Sequence, residues 1–209
     1  MPVTNIVVSR YNRNVDFVYK MNENTNIMIY DKENEENPLN IPVNKGNEAS
    51  VYLKYIIDYY DILSEFTFFI QDEEYSWHHY GSIIDRYDEA KKSNKLFYNI
   101  NSFDFDKNSI LNLNGEEVFN NFMKWYEEYI EEDIPLLKLP NKDFCHGYKG
   151  CAQFLVHKDV IRKLPKKFYE KLYNWIITTD LLSYYSGRYL EWTWHLMWDI
   201  YPYLEKKSN

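Results

Sequence analysis

"IPVNKGNEASVYLKYIIDYYDILSEFTFFIQ" runs from Ile41 to Gln71, and its two halves carry different periods. Apolar residues at positions 49, 52, 53, 56, 57 and 60 recur at the spacing of one helix face, which predicts an amphipathic helix. "EFTFFIQ" (Glu65–Gln71) is an aromatic and β-branched run, which predicts a buried strand. Upstream, "NIVVS" (Asn5–Ser9) and "NIMIYD" (Asn26–Asp31) read as two more strands. Between them the apolar positions 15, 17, 18 and 21 of "VDFVYKM" have a helical spacing. Strand, helix, strand, helix, strand is the pattern of an α/β layer, because each crossover helix returns the chain to a parallel neighbour.

The rest of the chain extends that reading. "KENEENPLN" (Lys32–Asn40) is polar and acidic, and closes on Pro38, as a surface loop does. "SIIDRYDEAKKS" reads as a helix, "LFYNINSF" as a strand and "GEEVFNNFMKWYEEYI" as a helix with the acidic first turn that the helix dipole favours. "GCAQFLVHKDVIRKLP" reads as a strand entering a short helix. "KKFYEKLYNWIITTDLL" and "GRYLEWTWHLMWDIY" read as two closing helices. With no internal repeat and no linker, residues 1–209 are expected to form a single α/β domain, a mostly parallel central sheet flanked by helices.

Composition narrows the partners. Aromatics are 19% of the chain, enough to fill a core and still line a groove that stacks on sugars or bases. Net charge is −8 and no block of Lys and Arg forms a phosphate-backbone footprint, so a nucleic-acid partner is not expected. The opening "MPVTNIVVSRYNRN" has too short an apolar run for a secretory signal, and no stretch has the length of a transmembrane segment. A soluble, cytoplasmic protein is the expectation, with Cys145 and Cys151 as thiols rather than a disulfide framework.

In an open α/β sheet ligands bind beyond the carboxyl ends of the strands. The three early strands end at "SRYN", "YDKE" and "QDEEYSWHH". In the last of these Asp72, Glu73 and Glu74 offer hard oxygen ligands for Mg²⁺ or Mn²⁺, and equally suit a solvated turn. His78 and His79 follow as ligands, proton donors or surface residues. Glu191 and His195 fall four apart on one expected helix, where a carboxylate and an imidazole can share a cation or act as a held base. The same pair also suits a Trp-packed helix with Glu191 paired to Arg188. Asn44, Lys45 and Gly46 stand before a helix N-terminus, a place that binds anions or simply caps the helix. "CHGYKGC" (Cys145–Cys151) lacks the paired Cys-x2-Cys spacing of zinc sites, and "DFD" (Asp104–Asp106) is a weaker rival to the acids at Asp72–Glu74.

Four segments, "VNKGNEASVYLKYIIDYYDIL", "FFIQDEEYSWHH", "GCAQFLVHKDVIRKLP" and "SGRYLEWTWHLMW", resemble in that order a group of largely uncharacterised proteins, many of them fungal. Those proteins look like glycosyltransferases of the GT-A fold, and the resemblance runs from about Asn5 to Ile200. Matched positions include Glu48, Trp77, Gln153, Arg188, Glu191 and His195. The acidic "QDEEYSWHH" stands where that group tends to be histidine-rich. The resemblance implies a GT-A-like domain that moves a sugar from a nucleotide-diphosphate sugar, UDP-sugars first, to a glycan or other hydroxyl acceptor. On a sugar-transfer reading the nucleotide is expected over the strand ends near Ser9, Arg10, Tyr11 and Asp31, with Asn44, Lys45 and Gly46 as further binding residues and Lys45 near the diphosphate or orienting the acids. Mn²⁺ or Mg²⁺ would lie on Asp72 and Glu74, with His195 as third ligand. Glu191 would be the base of an inverting reaction, His78 a second catalytic group, and aromatics near Trp77 and Trp192 a stacking surface for the acceptor. A non-catalytic carbohydrate- or nucleotide-binding module and a metal-dependent hydrolase are the alternatives.

Overall fold

The computed structural model describes residues 4–21, 24–102, 107–134, 137–138, 150 and 152–199. Five strands form one sheet: β1 (Thr4–Arg10), β2 (Thr25–Asp31), β3 (Phe66–Gln71), β4 (Phe97–Asn99) and β5 (Phe154–His157). Their order is β2-β1-β3-β5-β4. β1 pairs in parallel with β2 on one side and β3 on the other. The register sets Arg10 beside Asp31 and Ser9 beside Gln71, so three strands end level along one edge.

The sheet is mixed, and this corrects the mostly parallel expectation. β5 runs antiparallel to both β3 and β4. The physical reason lies in the connections. A strand's direction is set by how the chain returns to the sheet: β4 runs the same way as β3, and the long connection from β4 to β5 returns the chain reversed.

Both faces are covered, as a continuous apolar strand requires. Val7, Phe69, Phe154 and Val156 face a large core built with α1 (Ala49–Tyr59), α4 (Glu116–Tyr126), α6 (Lys166–Thr178), α7 (Ser183–Glu191) and α8 (Trp194–Asp199). Ile6, Val8, Phe68, Ile70 and Leu155 face a smaller core closed by the 3-10 turn Asp16–Met21 and by α2 (Ile83–Lys92). Further short helical segments are α3 (Lys107–Asn114), α5 (Lys158–Ile161), a 3-10 turn at Tyr60–Ile62 and a π-helical turn at Glu127–Glu131. No helix among the described residues is long and apolar enough to cross a membrane.

The expected second closing helix is two helices. It breaks at Trp192–Thr193, where the Trp192 amide bonds back to the Arg188 carbonyl and the Thr193 amide to that of Leu190. Thr193 Oγ1 donates to the Tyr189 carbonyl at 2.6 Å, occupying the acceptor that a continuing helix would give its own amide. Glu191 therefore ends α7 and His195 belongs to α8, so the two do not share one helix face.

Candidate functional site

Strand order reverses at β1, which has β2 on one side and β3 on the other. Beyond the carboxyl ends of these strands lies a cavity of about 350 Å³. β1 and the turn after it contribute Ser9, Tyr11 and Arg13, and the residue after β2 contributes Lys32. β3 and its following loop give Gln71, Asp72 and Glu73. The loop into α1 gives Asn44, Asn47 and Glu48, and the start of α7 gives Ser183.

The loop before α1 is fixed by close packing. Gly46 has φ +69°, and a Cβ there would lie 2.1 Å from Ile176 Cδ1, so only glycine fits. From the other side Gly187 lets α7 approach, since a Cβ on it would lie 2.8 Å from Asn47 Nδ2. Lys45 Nζ donates to the Thr179 carbonyl at the end of α6. The loop thus fastens α1 to α6 and α7, and Lys45 is committed to that fastening rather than to the cavity.

Lys32 and Arg13 are cations in the cavity wall. Lys32 Nζ donates to the Asn47 carbonyl. Burial lowers its pKa to about 8, while Glu48 and then Asp72 pull the other way. Asp72 accepts from the Tyr11 amide at 2.7 Å, with Arg13 Nε 3.9 Å away. Arg13 also pairs with Glu73. Asp31 is occupied differently: Arg10 Nη1 meets its Oδ2 at 2.6 Å, and it takes no part in the lining.

At the cavity floor two carboxyl side chains meet. Glu48 is 5% exposed and Glu191 9%. Glu48 Oε2 accepts from Gln71 Nε2 at 3.1 Å. The Glu191 carboxyl lies close enough to that of Glu48 for each to act on the other's proton affinity. Burial raises both carboxyls above the ordinary range, Glu191 well above it, where the Glu48 charge adds to the effect and Arg188 opposes it. Two dry carboxylates in contact cannot both stay ionised, so one carries a proton. Gln71 is steadied in turn by Gln153, whose Oε1 accepts from the Gln71 amide at 3.2 Å.

Of the residues expected at the site, the structure brings Ser9, Tyr11, Asn44 and Asp72 to the cavity lining, with Glu191 behind Glu48. Arg10 and Asp31 pair with each other at the strand ends. Glu74 accepts from Ser82 Oγ at 3.0 Å, at the start of α2. His195 is 1% exposed, and burial lowers its pKa to about 3. Asp72, Glu74 and His195 do not come together, and no group of three His, Cys, Asp or Glu able to hold a metal occurs among the described residues. His78 is buried with its ring 3.9 Å from that of Trp77, and burial, then His79, lowers its pKa to about 4. Trp77 is 67% exposed, whereas Trp192 is 1% exposed and packs in the large core. Asp104, Asp106, Cys145, His146 and Cys151 lie outside the described residues.

Sequence reading missed Lys32, Arg13, Asn47 and Ser183 as cavity residues. The signal for Lys32 is its place directly after Asp31, one step beyond the end of a strand.

A family model described as "Protein of unknown function (DUF3431)" matches residues 6–96 and 114–207, so the chain belongs to that family. No curated protein and no solved structure matches it.

Proposed function

We propose that this member of the DUF3431 family binds a nucleotide-diphosphate sugar, a UDP-sugar first, and transfers the sugar to a hydroxyl of a glycan acceptor, on a GT-A-like domain. The observation that carries the reading is the cavity where strand order reverses, with the half-buried Lys32 cation in its wall beside Asp72. Such a crevice is where open α/β sheets hold nucleotides, and its size suits a small ligand. In a chain of net charge −8, a diphosphate needs local positive charge, and Lys32 and Arg13 supply it. Tyr11, 52% exposed on the cavity rim, presents a ring face for the base.

Asp72 and Glu73 both line the cavity, and their hard oxygens fit Mg²⁺ or Mn²⁺, which commonly takes one or two carboxylates together with substrate phosphates. Bound there, the ion would offset charge on the departing diphosphate. Glu74 lines an adjoining cavity together with Asp72 and Glu73, while His195 lines neither.

The test is thermal melting with UDP, GDP and CDP, each with Mn²⁺, Mg²⁺ or EDTA, followed by assay of UDP-sugars with and without glycan acceptors. UDP with metal is expected to raise Tm, since a ligand at about 100 times its Kd adds about 2.7 kcal/mol. Lys32→Met is expected to abolish the rise. A rise that survives EDTA would remove the metal role from Asp72 and Glu73. No rise with any nucleotide would overturn the reading, and donor cleavage indifferent to acceptor would replace it with a hydrolase.

A further inference from the structure

At the floor of this cavity Glu48 and Glu191, two acidic side chains from different elements, meet out of water. Glu48 stands at the entry to α1 and Glu191 at the end of α7. Only Glu48 lines the cavity; Glu191 backs it. Glu48 Oε1 is buried and finds no donor among the described residues apart from that carboxyl neighbour. A proton on Glu191 turns their contact into a hydrogen bond directed at Glu48, and leaves Glu48 as the ionised member.

We propose that Glu48 and Glu191 work as one proton-sharing dyad, with Glu48 the carboxylate that accepts the proton of a ligand hydroxyl in the cavity and Glu191 the protonated partner that positions it. The proposal rests on the sugar-transfer reading and deepens it, because it moves the base from Glu191 to Glu48. Lys32 favours the charge on Glu48 from the end of β2, while Arg188, within α7, favours charge on Glu191 and is outweighed there by burial and by Glu48. Tyr52, on α1, has a fully buried hydroxyl with no partner among the described residues. Asp72, after β3, adds to Glu48 and Glu191 in raising the Tyr52 hydroxyl.

The chemistry balances in one displacement. The acceptor oxygen forms its bond to the anomeric carbon while the bond from that carbon to the diphosphate oxygen breaks. The electron pair leaves with the diphosphate, and the acceptor proton passes to Glu48. A single displacement inverts the anomeric configuration.

The experiment has two arms. The first is a ¹³C-carboxyl NMR titration of glutamate-labelled wild-type protein and of Glu191→Gln. One glutamate is expected to titrate well above the ordinary carboxylate range, and Glu191→Gln is expected to remove this titration. Glutamates that all titrate in the ordinary range overturn the dyad, as does a high titration that persists in Glu191→Gln. The second arm is kinetic. Glu48→Gln is expected to lower transfer at least about 100-fold, within the usual range for a lost general base, while keeping the UDP melting shift. Glu191→Gln is expected to keep more activity and to move the alkaline limb of the pH profile. Wild-type turnover in Glu48→Gln, or a retained anomeric configuration, overturns the base assignment. If the wild-type protein transfers no sugar, the reading of the function fails and the base role of Glu48 falls with it, and the NMR arm alone then decides the dyad.

Discussion

Lys32 shows how one side chain ties the site to pH. Its pKa is lowered to about 8, chiefly by burial. A folded-state value below the ordinary lysine range means that the cation discharges early as pH rises. Binding of an anionic nucleotide that depends on this charge weakens accordingly. UDP affinity is expected to fall above pH 8, approaching tenfold per pH unit where Lys32 alone limits it. Lys32→Arg, always charged, is expected to retain binding and to lose the fall. Calorimetric titration of UDP at pH 7, 8 and 9 reads both outcomes. An affinity flat across that range in the wild-type protein would mean that Lys32 does not face the diphosphate. The histidines differ in kind. His195 and His78 are held neutral by burial, so each opposes acid rather than base, and neither lines the cavity.

Elements with a strong local period are legible from their residues alone. α1 buries Ala49, Tyr52, Leu53 and Ile56, the face its spacing marks, and β1, β2 and β3 lie where apolar runs place them. What local pattern cannot carry is direction and interruption. β5 pairs antiparallel with β3, a fact fixed by a long connection and by no residue within "FLVH". The break between α7 and α8 falls inside "LEWTWHLMW", where Thr193 Oγ1 bonds back to the Tyr189 carbonyl. The site divides in the same way. Asp72 is legible as an acid at a strand end, whereas Lys32 reads locally as one more charge in "KENEEN", and only the β1–β2 register brings it to the edge. The break itself can be tested. Thr193→Val keeps the shape and removes the buried donor, leaving the Tyr189 carbonyl short of a partner. It is expected to cost about 1–3 kcal/mol, with most of that recovered in Thr193→Ser. Urea unfolding measures it, and an unchanged midpoint in the valine variant would show that the hydroxyl does not hold the break.

At the scale of the molecule, one sheet separates two cores, and alternate residues of the same strands serve each. Phe68 and Ile70 enter the smaller core while Phe69, between them, enters the larger. Neither face can lose its strands without exposing the other, so the two cores are expected to unfold together. The tryptophans provide an uneven set of reporters. Trp125, Trp192, Trp194 and Trp198 lie in the larger core and Trp175 packs against it, whereas Trp77 is exposed. Tryptophan fluorescence therefore follows the larger core, and far-UV circular dichroism follows all helices, including α2 on the other face. In urea the two signals are expected to give one midpoint and one slope, as a two-state domain requires. If the smaller core melted alone, circular dichroism would begin to fall before the fluorescence moved. Tyr87→Ala sharpens the comparison, because Tyr87 is buried in the smaller core against Phe68, with ring centroids 5.0 Å apart. Its loss is expected to cost about 3 kcal/mol, by analogy with buried aromatic truncations, and to lower the fluorescence midpoint even though no tryptophan lies beside it. A fluorescence midpoint that ignored Tyr87→Ala while circular dichroism registered it would mean that the sheet does not couple its faces. The cavity, whose lining residues come from strand ends, α1 and α7, would then belong to the larger core alone.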